Sequence, residues 1–151
     1  MASLLDRRAL PLLFLLAACA IATDVRYCKK GADYPVKVSG VNMSPNPIAR
    51  GKPAIFNISA TTGDQISTGK LVIDVDYFFI HVHHGVYDLC DETSCPVYVG
   101  DFVLSHQQTL PSFTPPGSYT LTMRMTGEDG EQLTCITFGF SIGFIVPVAD
   151  N

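Results

Sequence analysis

The sequence predicts an all-β protein, an immunoglobulin-like sandwich of two antiparallel sheets, and three observations carry that expectation. Apolar residues recur with a period of two along several segments, the spacing at which alternate side chains of a strand reach one face of a sheet. The Pro- and Gly-rich stretches SPNPIARGKP and LPSFTPPG punctuate those segments, as turns between strands do. No segment repeats apolar residues at the three-to-four spacing of an amphipathic helix.

Taken in order, Arg7 and Arg8 precede an apolar run over residues 10–21, and Ala18, Ala20 and Ala22 supply small residues for cleavage. That is the pattern of a secretory leader, and its apolar run falls short of the ~20 residues a membrane-spanning helix needs. Residues 1–22 are expected to be a signal peptide, and residues 23–151 one domain large enough to bury its own core. A first strand is expected over residues 35–41. In AIFNISA, Ala54, Phe56, Ile58 and Ala60 alternate with Asn57 and Ser59, which turns Asn57 of the glycosylation acceptor Asn57-Ile58-Ser59 towards solvent. In KLVIDVDYF and the residue after it, Leu71, Ile73, Val75, Tyr77 and Phe79 share one face, and Asp74 and Asp76 share the other. Another strand is expected over residues 97–104. Tyr119, Leu121, Met123 and Met125 alternate with Thr120, Thr122, Arg124 and Thr126, a half-buried strand. The turn Gly127-Glu128-Asp129-Gly130 then leads back into residues 133–146, with Ile136, Phe138, Phe140, Ile142 and Phe144 on one face. Six or seven strands are expected, the last two forming a hairpin.

Charge excludes one class of partner. The chain carries −4; Asp6, Arg7 and Arg8 would leave with the leader, a net +1, so the mature chain stands at −5. Its lysines and arginines are dispersed among more numerous acids, whereas nucleic-acid binding needs them clustered, so no nucleic-acid partner is expected. The cysteines say more. Cys19 would leave with the leader, and Cys28, Cys90, Cys95 and Cys135 remain, an even set suited to an oxidising compartment. Three pairings are open to them; Cys90 and Cys95 are close enough to close a short loop, which leaves Cys28 for Cys135. Fully paired cysteines would supply neither a nucleophile nor a thiolate ligand.

The segments SPNPIARGKPA, DLCDETSCPV, GDFVLSHQQTLPSFTPPGSYTLTMRM and LTCITFGFSI, with Cys28 near the mature start, together resemble the ML lipid-recognition domain family, and plant members in particular. The likeness runs from Tyr27 to the C-terminus. That family includes the Niemann-Pick type C secreted cholesterol-transfer protein, phosphatidylglycerol/phosphatidylinositol transfer proteins and mite group-two allergens. The resemblance implies two sheets that splay apart and hold an acyl chain or sterol in an inter-sheet cavity, and it supports the pairs Cys28 with Cys135 and Cys90 with Cys95. The animal sterol carriers have a third disulfide in the region of residues 44–52, where this chain is Pro-rich instead. Sterol selectivity is therefore not implied.

Two connections, FFIHVHHGV and LPSFTPPGSY, match by position the loops around the sterol entrance of the animal carrier. They make Phe79, Ile80, Val82, Leu110, Phe113, Pro115 and Tyr119 the expected lipid contacts, with Met123 on the strand that follows. Phe and Met line apolar sites without demanding hydrogen-bond partners, although the same residues would equally fill a packed core. A rim of Ile80, Val82 and Phe113 would suit transient docking on a bilayer. His81 and His83 could share a strand face, but thiolate partners are lacking, so neither metal nor cofactor is expected. Protonating His81, His83, His84 and His106 would take the mature charge from −5 to −1, easing approach to anionic membranes near about pH 5.

No nucleophile elbow, phosphate loop or metalloprotease motif is present, and adjacent Ser105 and His106 would point to opposite faces of a strand. The expected function is therefore not enzymatic: a monomer carries a sterol or phospholipid between membranes, touching the membrane surface and a membrane-protein partner. The expected setting is the secretory pathway, either the extracellular apoplast or an endomembrane or vacuolar lumen. The alternatives are an adaptor that presents lipid to a receptor, and a cupredoxin-type copper protein, which would need a free Cys.

Overall fold

A computed structural model describes residues 23–143; the expected leader and the positions of Phe144 and Val146 lie outside the described residues. The described residues form eight strands: β1 (Val25–Tyr27), β2 (Val36–Ser44), β3 (Pro53–Thr62), β4 (Gly69–Tyr77), β5 (Ile80–Asp88), β6 (Gly100–Thr109), β7 (Gly117–Gly127) and β8 (Gln132–Ile142). One sheet runs β1-β8-β7-β4-β5 and the other β2-β3-β6, and every pairing between these strands is antiparallel. The alternation read from residues 118–126 is reproduced in burial: Tyr119, Leu121, Met123 and Met125 are inside, while Ser118, Thr120 and Arg124 are exposed.

Side chains from both inner faces make one core. Leu71, Met125 and Ile136 of the larger sheet and Val36 and Leu104 of the smaller one are fully buried, each contributing about 1.5–3 kcal/mol of transfer free energy. The sheets are stacked edge over edge. Val38 N–H donates to the Tyr27 hydroxyl at 3.0 Å, joining β2 to β1 on one flank. On the other flank β5 lies over β6, with Tyr87 and His106 rings 4.6 Å apart.

Both disulfides form as read, Cys28–Cys135 with Cα atoms 5.4 Å apart and Cys90–Cys95 with 5.3 Å. The first fastens the segment after β1 to β8, where Cys28 N–H also donates to Cys135 O at 3.0 Å. The second closes the loop that carries a single helical turn, α1 (Leu89–Glu92). Asp88 caps that turn by accepting from Cys90 N–H at 2.8 Å, and buried Leu89 anchors it.

The structure corrects four sequence expectations. Eight strands replace six or seven, because β1 and β5 lack the apolar alternation that reveals a strand. FFIHVHHGV is not a loop but the tip of a hairpin followed by β5. The strand expected over residues 97–104 is displaced to Gly100–Thr109, since Val97 instead makes an isolated bridge with Ile66. The helical turn was not expected. Asn57 does sit on the outer face of β3, half-buried between Asn42 and Ser105 in register.

The two disulfides differ in what they constrain. Their sequence separations are 107 and 5 residues, so loop entropy assigns about 4–5 kcal/mol to the first and about 2 kcal/mol to the second. Urea unfolding of Cys28→Ser/Cys135→Ser is expected to show the larger loss, and Cys90→Ser/Cys95→Ser the smaller.

Candidate functional site

At the end of the sandwich where β4 turns into β5, the sheets enclose a cavity of about 290 Å³. Val75 and Tyr77 of β4, Tyr119 and Leu121 of β7 and Phe140 and Ile142 of β8 line one wall; Phe56 of β3 with His106 and Gln108 of β6 line the other. Period-two patterning delivers these residues to the interior, and the antiparallel register brings Tyr77, Tyr119 and Phe140 side by side across three strands. Tyr77 and Tyr119 stack at 4.7 Å, Tyr119 and Phe140 at 5.3 Å, and Phe140 meets Phe56 edge-on at 5.7 Å.

The two tyrosines also hold the lid. Tyr119 donates its hydroxyl to Pro115 O at 2.7 Å and Tyr77 to Pro116 O at 3.2 Å, so the Pro-rich connection between β6 and β7 is drawn over the cavity. Burial pushes the Tyr119 hydroxyl above its ordinary pKa. From the other side Arg50 Nη1 donates to Thr114 O at 3.1 Å and Gly51 N–H to Leu110 O at 2.9 Å. Proline rings present apolar surface there while leaving few N–H groups to satisfy.

One wall is polar, where edge strands β5 and β6 meet. Tyr87 donates to Gln108 Oε1 at 3.2 Å, and His83 Nε2 lies 3.3 Å from the Tyr87 hydroxyl. Gly85 makes this possible, because a Cβ there would sit 2.5 Å from the Tyr87 hydroxyl. Burial lowers the His83 pKa, with the nearby His106 lowering it further, and burial raises that of Tyr87. His106, only 4% exposed, has Nδ1 3.2 Å from Glu92 Oε2 of α1, so the short disulfide loop delivers a carboxylate to the buried ring.

Outside the mouth, the β4–β5 connection is a two-residue turn made of Phe78 and Phe79, with φ of 47° and 66°. Positive φ at both central positions is the requirement of a type I′ hairpin turn, normally met by Asn-Gly, and non-Gly residues there carry about 1–3 kcal/mol of strain each. Phe79 is nevertheless fully exposed, at 105%, and Phe113 across the mouth is 83% exposed.

Of the residues expected to contact lipid, Val82, Leu110, Phe113, Pro115 and Tyr119 line the cavity. Phe79 and Ile80 do not: the hairpin turn carries them outside the mouth. Met123 does not either: it is 1% exposed in the core, although its register partner Ile73 on β4 lines the cavity. Val75, Tyr77 and Phe140 were assigned to inward faces but not to the site. His106 and Gln108 went unread because polar residues on an inner face break the expected pattern.

The histidines are redistributed as well. β5 carries a bulge opposite the Val75/Asp76 step, so Val75 pairs with His83 and Asp76 with His81, leaving Val82 as the extra residue. His83 consequently turns inward, and His81 joins His84 rather than His83 on the outer face. There His84 Nδ1 donates to Asp74 at 2.6 Å, which, ahead of the Arg124 and His81 charges, holds that carboxyl below its ordinary pKa. The histidines are thus not a uniform solvated set: His106 is buried and His83 half-buried.

A second depression of about 410 Å³ lies at the opposite end of β4, lined by Lys70, Asp88, Glu128 and several glycines. It is more open than the cavity and its lining mixes charged with apolar groups, without the convergent apolar walls that a lipid chain requires. Among the described residues no helix is long and apolar enough to cross a membrane.

Comparison with known proteins agrees with this geometry. A phosphatidylglycerol/phosphatidylinositol transfer protein of Aspergillus oryzae is 33% identical over 118 residues, covering 74% of this chain and 67% of that protein. The MD-2-related lipid-recognition protein ROSY1 of Arabidopsis thaliana is 36% identical over 119 residues, covering 74% and 72%. In fold, a Niemann-Pick type C2 protein from the Japanese carpenter ant superposes with a TM-score of 0.62 at 16% identity, over 78% of this chain and 99% of that one. The ML domain pattern itself matches residues 22–142, nearly the whole described sandwich with both disulfides and every wall of the cavity, and the chain belongs to the ML domain family.

Proposed function

We propose that this protein binds a lipid in the inter-sheet cavity and carries it between membranes, docking transiently through the hairpin tip and the Pro-rich lid. The observation that carries this reading is the apolar cavity opening beneath a strained, exposed Phe-Phe turn. Strain of this kind persists where a function uses it. Two aromatic rings at the tip, with Phe113 opposite, offer the bilayer an apolar edge around the mouth through which a chain can pass without crossing water.

Energetics suit a carrier. Each methylene withdrawn from water is worth about 0.8 kcal/mol, so about a dozen would hold a chain with on the order of 10 kcal/mol gross. Cavity and bilayer interior are similarly apolar, so loading from a membrane is close to balanced and unloading remains possible. The volume of about 290 Å³ falls just below the ~300–1,000 Å³ of small-molecule sites. A bulky ligand therefore requires the sheets to part, most easily at the β5–β6 flank, where the contacts across the edges are polar side-chain hydrogen bonds. The name of the Aspergillus oryzae relative favours a phospholipid over a sterol. The paired cysteines support folding in an oxidising, secretory compartment, and the outer-face position of Asn57 supports its use as a glycan acceptor.

Two variants separate binding from docking. Val75→Trp should fill the cavity and lower uptake of a fluorescent phospholipid at least ~10-fold, at no more than the ~1–3 kcal/mol of an overpacked core. Unchanged uptake would refute the cavity as the site. Phe78→Asn/Phe79→Gly should raise stability by about 1–3 kcal/mol, by relieving the turn, yet slow transfer between vesicles while leaving equilibrium binding intact. Transfer at the wild-type rate would remove the hairpin tip from the mechanism.

A further inference from the structure

The bulge in β5 builds a second constellation, on the outer face of the β4–β5 hairpin and away from the cavity. Asp74, His81 and His84 each offer one ligand atom, and the three atoms lie within 4.8 Å of one another. His84 Nδ1 is 2.6 Å from Asp74 Oδ1, and His81 Nε2 is 3.6 Å from the same oxygen. At that distance His81 Nε2 makes no hydrogen bond, nor does it find any other partner among the described residues.

What sets this apart from a surface ion pair is that the far side of two of the three groups is already held. His81 Nδ1–H donates to Asp76 Oδ1 at 3.1 Å, which fixes the tautomer and presents Nε2 as a bare acceptor. Arg124 Nη1 donates to Asp74 Oδ2 at 2.9 Å, leaving Oδ1 turned towards the imidazoles. A carboxylate behind a histidine is the outer-shell arrangement that orients metal-ligating imidazoles.

We propose that Asp74 Oδ1, His81 Nε2 and His84 Nδ1 form a site for one zinc-type divalent ion, with water completing the coordination. Metal–ligand bonds of ~2.0–2.2 Å in a tetrahedron put neighbouring ligand atoms about 3.4 Å apart. His81 already stands at 3.6 Å from Asp74 Oδ1. His84, whose side chain is exposed, needs to withdraw by less than about 1 Å as the ion replaces the proton it now shares with Asp74. Two imidazoles and one carboxylate favour zinc over magnesium or calcium, which prefer oxygen. The ion would bridge β4 to β5 directly behind the tip that carries Phe78 and Phe79, stiffening the rim. No thiolate is needed, and the alternation read from the sequence, with His81 and His83 on one face, concealed the pair that the bulge creates.

The test titrates the tag-free protein with zinc chloride by calorimetry, and with Co²⁺ followed by visible absorption. One saturable ion per chain and a tetrahedral cobalt band are expected. His81→Ala and His84→Ala should each abolish binding, Asp76→Asn should weaken it about 10–100-fold, and His83→Gln and His106→Gln should leave it unchanged. Wild-type histidine resonances provide a readout independent of any variant's folding: zinc should perturb the rings of His81 and His84 and spare that of His106. Absence of saturable binding, or binding that survives His81→Ala/His84→Ala, overturns the site.

Discussion

Three rings laid across the inner face of β4, β7 and β8, those of Tyr77, Tyr119 and Phe140, hold the working end of this molecule in shape. All three line the cavity, whereas Met123 and Ile136 a few residues away are fully buried in the core. Their edges need no polar partner, but the two phenolic hydroxyls do, and both find carbonyls in the Pro-rich lid. The same residues therefore line the cavity and, through the two tyrosines, hold its roof. That double duty follows from tyrosine's chemistry, an apolar body with one polar tip that must be satisfied when buried.

The remaining constraints act at the flanks. Antiparallel hydrogen bonding makes each sheet stiff along its strands, but nothing in a sandwich binds sheet to sheet except side chains and connections. On the β1–β2 side the Tyr27 hydroxyl accepts from Val38 N–H across the layers, and the long disulfide pins the segment after β1 to β8 within the larger sheet. On the β5–β6 side the contact is polar, through His83, Tyr87, Gln108, His106 and Glu92. Hydrogen bonds of this kind exchange with water at a net cost of only about 0.5–1.5 kcal/mol each. A ligand larger than the resting cavity would part the sheets most readily at this flank, where polar contacts stand in place of apolar packing.

A single extra residue in β5 divides the chemistry of the hairpin. Without the bulge, alternation would set His81 and His83 on one face and Val82 and His84 on the other. With it, His83 and Val82 both reach the cavity, and His81 and His84 converge on Asp74 outside. Inner and outer faces thereby acquire different roles within nine residues of strand. The strained turn ahead of it completes the device, since only its positive φ angles carry two phenylalanines into solvent instead of into the core.

Some of this was legible from residues alone, for local reasons. A period of two names a half-buried strand wherever the inner residues are apolar, so β7, β8 and the centres of β3 and β4 could be read directly. The disulfides could be read because close spacing in sequence makes one pair easy to close. Five cavity residues, Val82, Leu110, Phe113, Pro115 and Tyr119, were reached through family resemblance rather than periodicity. β5 was not legible: its inward residues are His83, Gly85 and Tyr87, and a bulge erases the alternation. Nor was the boundary between Leu121, which lines the cavity, and Met123, which does not, because depth depends on the spacing between two sheets that no single strand encodes. The sequence by itself determined which side of each regular strand faces inward, since that is a property of one chain segment. Only the tertiary structure decided which inward residues meet a void and which histidines meet a carboxylate, because those are distances between segments brought together by folding.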